Sequence, residues 1–422
     1  MNAAQSAARD RLWAAIDERV DELTAITAEL VRRPSLLGHE AEVQGYVAAH
    51  LGGSGMTVES YDLDDSVKAL PNAGDSLTPF PGRPNVGAKR PGGAGGRSLI
   101  LNGHVDVVSP EPVAAWNHDP WAAEIVDGKM YGRGAYDMKS GVALNLFLVR
   151  LLNDLDIQLG GDLTVHSVIE EECTGNGALA ASLRDTADAC LVTEPHHTGY
   201  TRAHPGVIWF RVAVPGVSAH AGHAWQGVNA IVNAVPVIQA LAKLNDDLNL
   251  DLHPLWEGMH HPINLNIGVI DGGDWPSTVP GSCELRCRTS FFPGTTVEEM
   301  QSRISRAITE AIAPHEWLRQ HPPVVSYDGF RTEGVILDDK EPMLGTLNDA
   351  YRTVLGNDMS ADIMTAVNDQ RYYSFAGVPA TCFGAAGGNA HAADEWLDLA
   401  SMPVAAKVIA QFIVDWCGVA GA

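Results

Sequence analysis

Three apolar runs in this chain end on residues able to bind protons or metals. Ser98-Leu99-Ile100-Leu101 leads into Asn102-Gly103-His104-Val105-Asp106, residues 163–169 lead into Glu170-Glu171-Glu172, and residues 189–193 lead into Glu194-Pro195. Residues 137–153 (DMKSGVALNLFLVRLLN) read as a strong helix between the first two runs. Short apolar runs alternating with helices predict an α/β layer with a mostly parallel sheet. In such sheets ligands gather beyond the carboxyl ends of the strands. His104, Glu171, Glu172 and Glu194 all fall there.

The rest of the chain frames this layer. Leu12, Ile16, Val20, Leu23, Ile26 and Leu30 recur near helical spacing and predict one helix over 9–32. A helix fits 40–52, a strand 57–61, and the Pro- and Gly-rich stretch 71–96 reads as loop. From about residue 205 the order becomes strand 207–214, helix 226–246, strands 263–270 and 283–292, helix 296–313 and a strand at 323–327. That β-α-β-β-α-β order predicts a compact α+β insert. Helices at 342–355 and 402–417 follow. The expected division is a catalytic domain made of 1–204 and 331–422, interrupted by a smaller domain at 205–330.

The net charge of -24, from 52 acidic against 28 basic residues, disfavours nucleic acid as a partner, because phosphate binding needs clustered Lys and Arg. It equally disfavours docking on anionic lipid. The six cysteines are scattered and form no C-x-x-C pair, so core thiols are expected and a disulfide framework is not. The N-terminal stretch carries charges throughout and reads as a helix of the mature protein, and no apolar run reaches membrane-span length. These features point to the cytoplasm.

Each chemically interesting residue has a bland reading beside a functional one. His104 and Asp106 form H-x-D, which in isolation is more often a satisfied histidine near a surface acid. In an extended chain Asp106 lies on the same side as His104 and could orient a metal-bound imidazole. Asp137 opens a helix after Gly132 and Gly134; it reads equally as an N-cap or as a carboxylate bridging two cations. Three adjacent acids at 170–172 usually make a solvated face, yet at a strand edge one could bind metal while another handles a proton. His391 lies in the small-residue loop Gly387-Gly388-Asn389-Ala390-His391, where a substrate could approach closely.

Together, in this order, these stretches resemble the acetylornithine deacetylase / succinyl-diaminopimelate desuccinylase / carboxypeptidase G family of zinc hydrolases. The matching segments are NGHVDVV at 102–108, DPWAAEIVDGKMYGRGAYDMKSG at 119–141, EEECTGNGA at 170–178, TEP at 193–195, VSAHAG at 217–222 and AHAADE at 390–395. The resemblance implies a zinc-peptidase-like catalytic domain with a ferredoxin-like lid and dimerisation domain. It implies two zinc ions per subunit, a role cobalt or manganese could also fill, with Asp137 bridging, His104 and Glu194 on one ion and Glu172 and His391 on the other. Such a pair can polarise a carbonyl and activate water. The resemblance further implies Glu171 as the proton carrier, Asp106 as its catalytic neighbour, and a cis peptide bond at Asp137-Met138. His220 is implied to reach across a homodimer to the oxyanion. Arg288, Arg371 and Gly387 are candidates for substrate contact.

The expected activity is removal of an acyl group from an N-acyl amino acid or related small-molecule amine. Dipeptidase or carboxypeptidase action, deformylation of a formylated aminopyrimidine, and a non-catalytic metal-binding role are the alternatives. Ser277 stands where the family often has Asn, and Trp275 precedes it, so the acyl and amine sides stay open. Serine-hydrolase and gluzincin chemistry are disfavoured because G-x-S-x-G, S-x-x-K and H-E-x-x-H are absent.

Overall fold

A computed structural model describes residues 3–93 and 95–420. Its central sheet has six strands in the order Thr57–Asp62, Pro84–Arg90, Leu163–Val168, Leu99–His104, Cys190–Val192 and Ala380–Cys382. Leu99–His104 pairs in parallel with both Leu163–Val168 and Cys190–Val192, and Ala380–Cys382 extends the parallel part. The first two strands add an antiparallel edge. Every residue of Leu99–His104 and of Leu163–Val168 is buried, as a strand covered on both faces requires. The helix Lys139–Asp154 packs on Leu99–His104 and against the helices Val20–Val31, Ala41–Gly53 and Ser401–Cys417, so it is buried on nearly all sides.

A second sheet of four antiparallel strands runs in the order Leu265–Gly272, Ser282–Phe291, Gly206–Pro215 and Val324–Thr332. With the helices Ala230–Asp247 and Val297–Ile312 it has the ferredoxin-like order of elements. It carries its own apolar core, in which Ile208, Phe210 and Val212 meet Val237, Leu241, Ile304 and Ile308. Val297, Met300, Ile304, Ile308 and Ile312 line one face of the second helix at spacings of three and four. Thr296 starts that helix with a capping box: its hydroxyl accepts the Glu299 amide while the Glu299 carboxylate accepts its own.

Two sequence expectations need correction. Residues 9–32 are not one helix but two, Ala3–Glu18 and Val20–Val31, broken at Arg19 (φ -117°, ψ 25°). The apolar stripe continues through the break, so periodicity alone does not reveal it. The stretch 71–96 is not all loop, because Pro84–Arg90 is a strand. Its proline stands at the first strand position, where a missing N–H is tolerated. All six cysteines are buried and unpaired. Among the described residues no helix is long and apolar enough to cross a membrane.

Candidate metal centre

The carboxyl end of the parallel sheet gathers His104, Asp137, Glu171, Glu172, Glu194 and His391. His104 closes its strand and is 1% exposed. Its Nε2 lies 3.5 Å from Asp137 Oδ1, 3.6 Å from Glu194 Oε1 and 3.9 Å from Glu171 Oε2. On the other side, His391 Nε2 lies 3.5 Å from Asp137 Oδ2 and 3.0 Å from Glu172 Oε2. The two oxygens of Asp137 therefore face different imidazoles.

The spacing fits divalent metal better than direct hydrogen bonding. The 3.5–3.6 Å separations around His104 are too long for a good N–H···O bond. His104 Nε2 is buried with no hydrogen-bond partner. Four ligands at about 2.0–2.1 Å from a tetrahedral zinc lie about 3.3 Å from one another, close to these separations. His104, Glu171 and Glu194, and likewise His104, Asp137 and Glu172, offer ligand atoms within 4.8 Å of one another.

Local structure aims each group. The Asp137-Met138 peptide is cis, as the family resemblance implies. Asp137 does not cap the following helix: Met138 occupies the N-cap position, without a side-chain cap. Instead Glu395 Oε1 accepts the amides of Tyr136 (2.9 Å) and Asp137 (3.0 Å), while its Oε2 accepts Gly134 N (3.0 Å) and Arg133 Nη1 (2.6 Å). Glu395 shares a loop with His391, so one buried carboxylate ties both loops together. Glu170 and His391 hold positive φ (66° and 61°), a conformation non-glycine residues rarely keep without support.

Asp106 does more than face His104. His104 Nδ1 lies 3.0 Å from the Asp106 backbone carbonyl and 3.6 Å from its Oδ1. The Asp106 carboxylate accepts the amides of Glu171 (3.1 Å) and Glu172 (3.0 Å). Behind them, Arg83 Nη2 meets Glu40 at 2.6 Å and Arg83 Nη1 meets Glu170 at 2.7 Å, with all three side chains buried. Thr174 also donates to Glu170 at 2.7 Å.

So many acids in one pocket perturb one another. Burial works against a charged His104, yet Asp137, Glu194, Asp106 and Glu171 outweigh it and hold the imidazole well above its usual range. Burial and neighbouring carboxylates push Glu171 and Glu194 well up. Burial also opposes a charged Asp137, but His104 and His391 more than offset it and lower its value. Burial lifts Asp106 to about 7. Divalent cations would relieve this crowding of negative charge.

The remaining predicted residues are not among the clustered ligand groups. His220 is exposed on the insert, where its Nδ1 accepts the Gly222 amide at 3.0 Å. Arg288 is half-buried on the second sheet opposite Trp209, lining a cavity of about 320 Å³. Gly387 is half-buried, and a Cβ there would strike the Tyr136 ring, so close packing explains its glycine. Trp275 is exposed on the insert. Arg371 has no exposed surface and lies behind Glu171. Sequence reasoning overlooked Glu40, Arg83 and Asp369, the last a buried acid 3.5 Å from Asn102 Nδ2 and lifted to about 6 by burial. It also gave Glu395 no role, although the matched AHAADE stretch contains it.

Residues 100–415 match the model of peptidase family M20/M25/M40. The chain is 28% identical over 434 residues to N-formyl-4-amino-5-aminomethyl-2-methylpyrimidine deformylase of Halalkalibacterium halodurans, covering 97% of each chain. It is 31% identical over 245 residues to acetylornithine deacetylase of Edwardsiella ictaluri, covering 56% of this chain and 62% of that one. The fold superposes on human carnosine dipeptidase 1 with a TM-score of 0.77 at 17% identity, over 97% of this chain and 99% of the other.

Proposed function

The chain belongs to peptidase family M20/M25/M40 and is a hydrolase acting on amide bonds, and from that premise we propose that it is a two-zinc amidohydrolase removing a small acyl group from an amine. The observation carrying this reading is the placement of Asp137, one oxygen toward His104 and the other toward His391, with Glu171 alongside. Asp137 would bridge two ions, His104 and Glu194 completing one site and Glu172 and His391 the other. Bound there, zinc supplies Lewis-acid polarisation of the amide carbonyl and a lowered pKa for water. Cobalt or manganese would also suit this donor set.

Glu171 takes a proton from the attacking water as the water oxygen bonds to the carbonyl carbon. It then delivers that proton to the nitrogen as the C–N bond breaks, releasing a carboxylic acid and an amine. Asp106 keeps Glu171 and Glu172 in register by accepting their amides. Formyl is the favoured acyl group, because the deformylase relative aligns over 97% of this chain whereas the acetylornithine deacetylase aligns over 56%.

The insert at 205–330 acts as lid and dimerisation domain beside a catalytic domain of 1–204 and 331–422. Support comes from exposed Ile231, Val232 and Val235 on one helix and exposed Val269 and Ile270 on the edge strand Leu265–Gly272. In that dimer His220 serves the partner's site, and Arg288 contacts substrate. The unpaired cysteines suit the cytoplasm.

The test is a panel of N-formyl and N-acetyl amines and dipeptides offered to the zinc-loaded protein. Turnover of the formyl or acetyl amides supports the reading; turnover of dipeptides alone, or of nothing, overturns it. Glu171→Gln should keep both metals and lose about 10²–10⁴-fold in kcat.

A further inference from the structure

Arg371 has the composition of a substrate-binding residue and the location of something else. It is 0% exposed, at the start of the helix Gln370–Phe375. Its guanidinium lies over the Phe330 ring at 5.3 Å and over the Tyr372 ring at 4.5 Å. It donates to the Asn368 carbonyl at 2.5 Å and to Tyr372 Oη at 3.4 Å. Tyr372 Oη donates in turn to the Thr174 carbonyl at 2.6 Å, tying this helix to the turn that follows Glu172.

Arg371 Nη1 lies 4.0 Å from Glu171 Oε1. That oxygen and Arg371 Nε are both buried without a hydrogen-bond partner. A buried carboxylate oxygen left alone is costly, and a facing cation offsets much of that cost. The other oxygen, Glu171 Oε2, points toward His104. The carboxylate is thus held between Arg371 on one side and the ligand cluster on the other.

We infer that Arg371 is a positioning residue for Glu171: its guanidinium, locked between Phe330 and Tyr372, fixes the rotation of the Glu171 carboxylate so that Oε2 faces the reacting atoms. The inference rests on Glu171 being the proton carrier. A planar guanidinium held at several points sets an orientation more firmly than a flexible ammonium, which keeps only the charge. With no exposed surface, Arg371 does not meet substrate.

The experiment compares Arg371→Met and Arg371→Lys in the metal-loaded protein, alone and combined with Glu171→Gln. Removing a group that orients a catalytic side chain costs about 10–100-fold, so kcat should fall by about that factor in Arg371→Met. KM should stay within about twofold, because no substrate contact is lost. Arg371→Lys should recover part of the loss, and metal content should stay at the wild-type value in both variants. In the Glu171→Gln background neither substitution should lower the residual rate further, since there is no carboxylate left to orient. A raised KM at unchanged kcat, an unchanged kcat, lost metal, or an equal fall in the Glu171→Gln background would each overturn the inference. A fully active Glu171→Gln would instead remove the assignment of Glu171 on which the inference stands. If Arg371→Met does not fold, Arg371→Lys decides by the same comparison.

Discussion

The Asp106 carboxylate accepts the backbone amide of Glu172 at 3.0 Å and that of its neighbour Glu171 at 3.1 Å. A side chain two residues after His104 thus sets the backbone of the acidic turn on the adjacent parallel strand. Asp106→Ala should lower kcat and weaken metal affinity, each by about 10–100-fold. Asp106→Asn, which keeps one acceptor oxygen, should lose less. Steady-state kinetics with a metal titration will read this, and wild-type values in Asp106→Ala would sink it.

Metal binding should release protons. In the metal-free protein, the Asp137 and Glu172 carboxylates accept from the His391 imidazolium and push it up to about 11, so it carries a proton at neutral pH. Its raised value stabilises the metal-free fold fully below the ordinary histidine range near 6.5, and that contribution fades as pH rises toward 11. A ligating imidazole must be neutral, so zinc affinity should increase with pH. Calorimetry at pH 7 in buffers of different ionisation enthalpy should register proton release; heats independent of the buffer would contradict it.

Arg83 is 4% exposed between Glu40 and Glu170, each 0% exposed. Arg83→Met leaves two buried carboxylates without their cation, a loss of about 3–5 kcal/mol. Urea denaturation should show it. A change under about 1 kcal/mol would mean the network contributes little.

Val232 is 63% exposed on the helix Ala230–Asp247, beside Val235 at 46%. If the protein forms the proposed dimer, Val232→Glu with Val235→Glu should shift it to monomer in sedimentation and reduce kcat, and His220→Ala should reduce kcat without dissociating it. A persistent dimer in the double variant would place the interface elsewhere.

The reach of the sequence differed from element to element. Apolar runs and helical periodicity made the strand Leu99–His104 and the helix Lys139–Asp154 legible, because burial on both sides leaves nearly continuous apolar stretches. Pro84–Arg90 stayed hidden, since its Pro and Gly content resembles a loop and its strand character comes from its partners on both sides. His104 and Glu194 stood out as acids or imidazoles at strand ends. Glu395 and Arg83 did not, because their work is to bind backbone or bury charge across long separations in sequence.

The sequence by itself determined the layer type and the order of the insert, through local patterns that the backbone periods of strand and helix impose, and the ligand candidates, through the motifs that carry its family resemblance. Only the tertiary structure decided how those candidates face one another. It turned Asp137 toward two imidazoles rather than onto its helix end, gave the Asp106 carboxylate to the amides of Glu171 and Glu172, and buried Arg371 behind Glu171. The physical reason is that a side chain's role depends on which groups share its low-dielectric surroundings. In this protein those groups come from strands, loops and helices far apart in the chain.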